Sequence, residues 1–172
     1  MVDINAIWNT FINGLNTQYP SYTYLKANLK GPLPPYPYVT INCLTPYKKD
    51  MDIVGGTKIR QTVNNKVQVI STEQPKMIFS FMVYSDNLSQ CLQVLRDTLD
   101  WIKTTNQQYL RKRGIVVVDV GNVGDRSVFL EVDYQYCWGS DITIRVFDSV
   151  TTEINPISSV EITGNDNELI DI

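Results

Sequence analysis

One stretch in the middle of the chain limits its possible folds more than any other: a single apolar stripe at helical spacing. The stripe consists of Leu88, Leu92, Leu95, Leu99 and Ile102. Intervals of three and four residues place these side chains on one face, so the stretch predicts an amphipathic helix that must bury that face. Asp86 or Asn87 stands where a helix N-cap is expected. Strand patterns lie on both sides of this helix, so a sheet is the surface that it covers.

A second helix is predicted at the start of the chain. Its apolar residues share one face and are Ile4, Ile7, Trp8, Phe11, Ile12 and Leu15. Asp3 can cap this helix, and Gly14 weakens its end. Five prolines follow between residues 20 and 37. They exclude a helix and favour an extended connector, with a proline-rich docking ligand as the alternative.

Alternating apolar and polar residues predict strands in the rest of the chain. The predicted strands are Tyr38–Leu44, Lys58–Ser71, Met77–Tyr84, Ile115–Val120, Ser127–Tyr136 and Asp141–Phe147. Thr45–Gly56 has the composition of a loop, and Ile115–Val120 has the continuous apolar run of a buried strand. Gly139 could mark a bulge or kink that joins the last two strands into one bent strand.

The same pattern predicts how the strands between residues 58 and 84 pair. In Lys58–Ser71, the residues expected to point inward are Ile59, Val63, Val67 and Val69. Asn64 and Asn65 form either a turn or a bulge within one long strand. We expect Lys66–Thr72 and Lys76–Tyr84 to pair as an antiparallel hairpin, because a turn-forming segment separates them.

The order of these elements predicts an α+β fold. It consists of a mostly antiparallel sheet with an N-terminal helix and one long amphipathic helix packed on one face. A length of 172 residues fits a single domain. We assign residues 1–150 to this α+β domain and residues 151–172 to an acidic C-terminal extension.

The composition argues against most enzymes, because the chain contains no histidine. Ser-His-Asp and Cys-His catalysis and histidine-ligated zinc are therefore excluded. Cys43, Cys91 and Cys137 are far apart, and no secretory signal is evident, so we expect reduced, buried thiols in a protein made in the cytoplasm. No apolar run reaches the roughly 18 residues of a membrane span. We predict no catalytic residue, no metal site and no cofactor.

Charge is distributed unevenly along the chain. Residues 1–145 carry 15 basic and 12 acidic residues, a net charge of +3, whereas residues 146–172 carry six acidic residues and no basic one. The six are Asp148, Glu153, Glu161, Asp166, Glu168 and Asp171. An acidic segment of this kind is either solvated or bound to a basic surface.

Three groups of residues leave other functions open. Asp119, Glu131 and Asp133 could hold Mg²⁺ in a metal-dependent nuclease, or they could line an exposed strand face. Arg111-Lys112-Arg113 could bind nucleic-acid phosphates, or it could lie at the negative end of a helix. Six of the ten tyrosines lie in the first 50 residues. They could stack on single-stranded bases or contact another protein.

Four segments resemble the tail or neck terminator proteins of tailed bacteriophages. They are the proline-flanked strand Pro34–Thr40, the apolar strand Met77–Asp86 that leads into the long helix, the segment Leu110–Leu130 around Gly114-Ile115-Val116-Val117 and Asp125-Arg126-Ser127, and the strand Tyr134–Val146. In the last segment Cys137 stands where this family often has arginine, and Ser140 stands where it often has phenylalanine. The resemblance extends from about Trp8 to Phe147, nearly the whole predicted domain.

The resemblance implies an α+β subunit of a closed ring, usually a hexamer. Such a ring sits on the last ring of the tail tube, stops tube polymerisation and offers a surface to the head-side connector. In contractile tails it also contacts the sheath, and DNA passes through its lumen without specific binding. Another connector or stopper ring of the neck is the alternative assignment, and a nucleic-acid-binding module is a third.

With this resemblance, we expect the function to depend on protein contacts. Lys58–Tyr84 and Thr45–Thr57 are expected to contact a neighbouring subunit or the tube, and residues 150–172 a neighbouring subunit or the sheath. The candidate interface residues are Tyr47, Lys48, Lys49, Lys58, Arg60, Lys66, Arg111, Arg113, Arg145, Glu153 and Glu161. A head-to-tail ring needs two complementary faces on each subunit, and the two signs of charge could supply them.

Overall fold

The fold combines helices with sheets. The computed structural model describes residues 2–28, 31–49, 56–63, 66–130, 133–154, 162–163 and 169–170. Its helical elements are α1 (Ile4–Gln18), α2 (Leu88–Asp100), a π-helical turn (Trp101–Thr105) and α3 (Gln107–Arg111). Its strands are β1 (Thr23–Lys26), β2 (Tyr38–Lys48), β3 (Thr57–Val63), β4 (Lys66–Glu73), β5 (Lys76–Ser85), β6 (Ile115–Val120), β7 (Gly124–Asp125), β8 (Val128–Leu130), β9 (Asp133–Val146), β10 (Asp148–Ile154), β11 (Ile162–Thr163) and β12 (Leu169–Ile170). The predicted α+β class is confirmed.

The chain divides into two compact units. The first contains Met1–Val54 and Gln74–Asp148, and the second contains Gly55–Glu73 and Ser149–Ile172. The helices and a seven-stranded sheet belong to the first unit. The second unit is built on a three-stranded sheet with the order β10-β4-β3 and on the antiparallel pair β11-β12.

The seven-stranded sheet is mostly antiparallel, as predicted. Its order is β1-β2-β5-β9-β6, and β7 and β8 also pair with β9. Among the described strand pairs of this sheet, only β1-β2 is parallel. β5 and β9 form the centre of the sheet in an unbroken register, from Lys76 opposite Arg145 to Ser85 opposite Tyr136.

Side chains of α1 pack on the centre of this sheet. Every second residue of β5 is buried there, including Phe79 and Phe81. The ring centroid of Phe11 lies 5.7 Å from that of Phe79 and 5.3 Å from that of Phe81. Trp8 adds an edge contact to Phe79, and its Nε1 donates a hydrogen bond of 3.1 Å to the Ile41 carbonyl oxygen. The predicted N-terminal helix and its buried face are therefore confirmed.

The helix α2 buries a somewhat different face from the one that its leucine stripe predicts. The buried residues of α2 are Cys91, Val94, Leu95, Thr98 and Leu99. Leu88 and Leu92, which belong to the predicted stripe, are exposed. Cys91 occupies the sheet side instead, where its thiol donates to the Val83 carbonyl oxygen at 3.3 Å. Asn87 is the N-cap, and its side chain accepts from the Gln90 backbone N–H at 3.1 Å.

The long helix continues past α2 through the π-helical turn, which buries Trp101. The indole ring of Trp101 lies against α1, where a Cβ atom added at Gly14 would lie 2.5 Å from its Cζ2 atom. Gly14 therefore provides room for Trp101, and α1 continues beyond it to Gln18. The helices in the part of the chain described here are too short or too polar to cross a membrane.

The second unit corrects the predicted hairpin. β4 is already paired on both sides, with β3 on one and β10 on the other, so the hairpin of Lys66–Thr72 with Lys76–Tyr84 is wrong. β5 pairs instead with β2 and β9. The strands on either side of residues 64–65 are antiparallel to each other, so a single long strand Lys58–Ser71 is also wrong. Asn64 and Asn65 themselves lie outside the described residues.

Three predictions about burial and length also differ from the structure. Ile59 and Val63 are exposed rather than inward, because β3 is the edge strand of a sheet in which no described side chain is buried. Ile115–Val120 is a strand but is half exposed, because β6 also lies at a sheet edge. β2 continues to Lys48 and pairs with Lys76, so the first part of the predicted loop Thr45–Gly56 is strand. The rest of that loop from residue 50 to residue 55 lies outside the described residues.

The cysteines are free thiols that pack as small side chains, as predicted. Cys91 and Cys137 are buried, and Cys43 is half-buried in β2. Burial raises the pKa of the Cys91 thiol to about 11 and also raises the pKa of the Cys137 thiol. Both thiols are therefore neutral and poorly nucleophilic near neutral pH.

Gly139 allows β9 to remain one strand beside β5. β9 runs from Asp133 to Val146, so Gly139 lies within one continuous strand, as suggested. The predicted strand Ser127–Tyr136 is wrong, because Val128–Leu130 forms the separate strand β8, which pairs antiparallel with the start of β9. A Cβ atom at Gly139 would lie 2.6 Å from the carbonyl oxygen of Phe81 on the neighbouring strand. Glycine is needed here because the backbones of β5 and β9 leave no space for a side chain.

Replacement of Gly139 by alanine should destabilise the protein. The added methyl group meets backbone atoms that cannot move without breaking the β5-β9 ladder, so we expect a loss of about 1–3 kcal/mol in the free energy of unfolding. Gly124→Ala is the matched control, because an added Cβ atom there meets nothing within 4 Å. Urea denaturation of the two variants measures the difference, and equal stabilities would contradict the steric argument.

Candidate assembly surfaces

Four of the candidate interface residues lie in the three-stranded sheet. Lys58 and Arg60 are exposed on β3, two residues apart, so their side chains share one face. Lys66 on β4 donates from Nζ to the Glu153 carboxylate on β10 at 2.9 Å. Both members of this ion pair are more than half exposed, so the pair stabilises the sheet only weakly.

The polar contacts of Gln68 show which side chains share the face of the sheet opposite to Lys58 and Arg60. The Gln68 side chain accepts from Gln61 on β3 at 3.3 Å and donates to Glu153 on β10 at 3.5 Å. Lys66, Gln68 and Glu153 therefore lie on one face. Because strand residues alternate, Lys58 and Arg60 lie on the other face.

Three more candidates lie at the end of β2. Tyr47, Lys48 and Lys49 are all exposed, and Tyr47 retains 54% of its accessible surface. They form a short basic and aromatic segment of the first unit. Glu161, by contrast, lies outside the described residues.

The two arginines after the long helix are held by local contacts. The guanidinium of Arg113 lies over the ring of Tyr109, 3.6 Å from its centroid, and donates to the Tyr109 carbonyl oxygen at 3.1 Å. Arg111 donates to the side chain of Gln107 at 3.3 Å. These contacts place both cations at a helix C-terminus, where the helix dipole favours positive charge.

Arg145 differs from the other candidates because it is half-buried in the central strand β9. A second arginine that the sequence analysis did not select, Arg126, joins two central strands. It donates to the Ser80 hydroxyl on β5 at 2.8 Å and to the Asp141 carboxylate on β9 at 3.0 Å. Arg126 thus fixes the segment before β8 to the face of the sheet that lies away from α1.

Two exposed apolar surfaces were also missed. The first, named here the hairpin surface, consists of Tyr36 and Val128. Phe129, which is 67% exposed, lies on the other side of the β8-β9 hairpin because neighbouring strand residues alternate. Val128 lies opposite Gln135 in the β8-β9 pair, and Gln135 donates to the Tyr36 hydroxyl at 2.6 Å. This contact brings Tyr36 to the side of the hairpin on which Val128 lies.

The second apolar surface, named here the helix groove, lies along α2. Leu92 and Leu99 of α2 face Val123 across a groove of about 200 Å³, and Arg96 and Lys103 lie along it. Leu92 and Val123 are each about two-fifths exposed. Sequence patterns could not identify either surface, because an apolar residue in a strand or helix signals burial unless the neighbouring elements are known.

The tyrosines favour protein packing over base stacking. Of the six in the first 50 residues, Tyr24 and Tyr38 are buried, and Tyr19 and Tyr22 stack on each other with ring centroids 5.9 Å apart. Tyr38 also stacks between Tyr36 and Tyr84. Burial raises the pKa of Tyr84 to about 12.

The acidic residues of the nuclease alternative are not brought into a metal site in the part of the chain that is described. No three cysteine, aspartate or glutamate side chains there lie close enough to hold a metal ion. Asp119 is exposed on β6, while Glu131 lies outside the described residues. Asp125, a further acidic residue that lies near this group in the sequence, accepts hydrogen bonds from the side chain and backbone of Ser127, which lower the pKa of its carboxyl group.

Comparison with protein families gives a match over nearly the whole chain. A family model described as phage neck terminator protein matches residues 3–168, nearly the whole chain. No curated protein matches the chain. The family match covers both compact units and agrees with the family that the sequence segments indicated.

The contact of Arg113 with Tyr109 allows a structural role of this arginine to be distinguished from nucleic-acid binding. Arg113→Ala removes the contact with Tyr109, so the free energy of unfolding should fall by about 0.5–1 kcal/mol. Arg111→Ala, the matched control, should change it by less than about 0.5 kcal/mol. Binding of a single-stranded oligonucleotide, followed by fluorescence anisotropy at two salt concentrations, should be the same for both variants and the parent. Affinity lost in both variants, with a steep salt dependence, would instead support phosphate binding.

Proposed function

Because the chain belongs to the phage neck terminator family, we propose that it forms a closed ring, a hexamer, that caps the tail tube and ends its growth. The family match over residues 3–168 carries this proposal. A structural role in the tail or neck of a bacteriophage virion follows from the family itself. The ring, its size and the capping of the tube are the further steps proposed here.

The proposed mechanism is geometric. One face of the ring reproduces enough of the upper surface of the tube to bind it. The other face lacks the surface that a further tube ring would need, so polymerisation stops there. That face binds the head-side connector and joins tail to head.

A subunit with this function needs several exposed contact surfaces. A head-to-tail ring uses two complementary patches on each subunit, and its upper and lower faces need two more. The hairpin surface, the helix groove, the segment Tyr47–Lys49 and the three-stranded sheet offer four such places. Exposed apolar patches of this kind are typical of protein interaction sites.

The proposed partners are other copies of the chain, the tail tube protein and the head-side connector of the neck. Residues 150–172 would reach a neighbouring subunit or, in a contractile tail, the sheath. Within the expected contact region Lys58–Tyr84, β5 already pairs with a strand on each side in its own sheet. We therefore limit the proposed contacts of this region to β3 and β4. The ring would assemble inside the bacterial host cell, and DNA would pass through its lumen without specific binding.

Light scattering combined with size-exclusion chromatography tests this function. The protein is measured alone and after mixing with its cognate tube protein, and tube lengths are measured by electron microscopy. We expect either a hexamer or a monomer that becomes a ring on the tube, and in both cases tubes of fixed length. A monomer that leaves tube growth unchanged would overturn the proposal and favour a connector elsewhere in the neck.

Two variants extend this experiment to the exposed surfaces. Val128→Asp changes the hairpin surface and Leu92→Asp changes the helix groove, and both positions are exposed enough to accept a charge. A variant that keeps the mass of the ring but no longer limits tube length identifies the surface that meets the tube. Asn9→Asp on the exposed side of α1 is the control and should behave like the parent.

A further inference from the structure

The three-stranded sheet carries opposite charges at its two edges. β3, at one edge, contains Lys58 and Arg60 and no acidic residue. β10, at the other edge, contains Asp148 and Glu153 and no basic residue. The central strand β4 contains one residue of each sign, Lys66 and Glu73. The formal charge therefore changes from +2 to 0 to −2 across the sheet.

Both edges are open for pairing within the described part of the chain. β3 and β10 are the terminal strands of the order β10-β4-β3, and each is seven residues long. An edge strand presents a row of backbone N–H and C=O groups that can pair with another strand. None of the described side chains of this sheet is buried. A sheet of three strands without a buried face gains stability when further strands extend it.

From this arrangement we propose that β3 of one copy pairs with β10 of the next copy, so that the three-stranded sheets join into one continuous sheet around the ring. The occupant of each edge is a second copy of this chain, because the same small sheet supplies a basic edge and an acidic edge of equal length. The inference rests on the proposed ring and names the strands that close it.

The symmetry of a ring also determines which side chains of β3 and β10 lie next to each other across the junction between two copies. Rotation about the ring axis carries each face of the sheet onto the same face of the next copy. Thr152 lies on the face opposite to that of Glu153, because neighbouring residues of a strand alternate. Lys58, Arg60 and Thr62 lie on that same face. Depending on the register of the two strands, one of these three positions of one copy therefore lies beside position 152 of the next.

Disulfide cross-linking tests this pairing. Thr152→Cys is combined in turn with Lys58→Cys, Arg60→Cys and Thr62→Cys, which samples three registers of the two strands. Within one copy β4 separates β3 from β10, so their backbones lie about 10 Å apart. A disulfide needs Cα atoms within about 7 Å, so a bond between these positions must join two copies.

We expect at least one pair to give a ladder of cross-linked species that ends at the size of the ring. Thr152→Cys combined with Asn9→Cys on α1 is the matched control and should give no ladder. A ring of normal mass in which none of the three pairs cross-links would overturn the strand pairing while leaving the proposed function intact. Absence of any ring, with and without tube protein, would instead overturn the proposed function.

Charge reversal provides an independent test of the same interface. Lys58→Glu combined with Arg60→Glu gives both edges a negative charge. Asp148 shares the face of Lys58 and Arg60 whereas Glu153 lies on the opposite face, so we expect ring formation to weaken only by roughly three- to tenfold. High salt should weaken the parent ring and should partly restore assembly of the variant, because these charges are exposed. Lys112→Glu combined with Asn9→Asp and Asn13→Asp makes the same change of charge at exposed positions away from the small sheet and is the control. Equal effects of the β3 variant and this control would contradict a specific role of β3.

Discussion

The fold of the first unit depends on the contact of Phe11 with Phe79 and Phe81. These rings join α1 to the central strand β5, and all three are fully buried. Full burial of one phenylalanine contributes about 1.5–3 kcal/mol, and edge-to-face contact adds to it. The same face of β5 receives Cys91 from α2. A stable platform results, on which the hairpin surface and the helix groove can remain exposed.

The second unit is built on the opposite principle. Its three-stranded sheet has no buried side chain among its described residues, and the ion pair between Lys66 and Glu153 is exposed. Hydrogen bonds between the strands hold the described part of this sheet together. A chain with one self-sufficient unit and one unit with open edges suits a protein that completes its packing only on assembly.

The sequence predicted those elements whose patterns are local. Helix periodicity identified α1, and alternation located β5 and the part of β9 that follows Gly139, whereas the antiparallel pairing of β8 with β9 was not predicted. Pairing between strands could not be predicted, because Lys66–Thr72 has the same alternation whether it pairs with β3 or with β5. The prediction of side-chain burial failed for a related reason. Ile59 and Val128 are apolar residues, but their strands lie where these side chains remain exposed. The functional family was predicted from segment resemblance, whereas the interface residues remain predictions.

The charge pattern of the small sheet also bears on why assembly would close into a ring rather than stop at a two-fold dimer. In a two-fold dimer β3 would meet β3, or β10 would meet β10, and like charges would oppose each other across the new pair. Only the head-to-tail arrangement places Lys58 and Arg60 beside an acidic strand. Exposed lysines on edge strands commonly prevent non-specific pairing. On β3 they would allow one partner, the acidic edge of the next copy, and exclude the symmetric alternative.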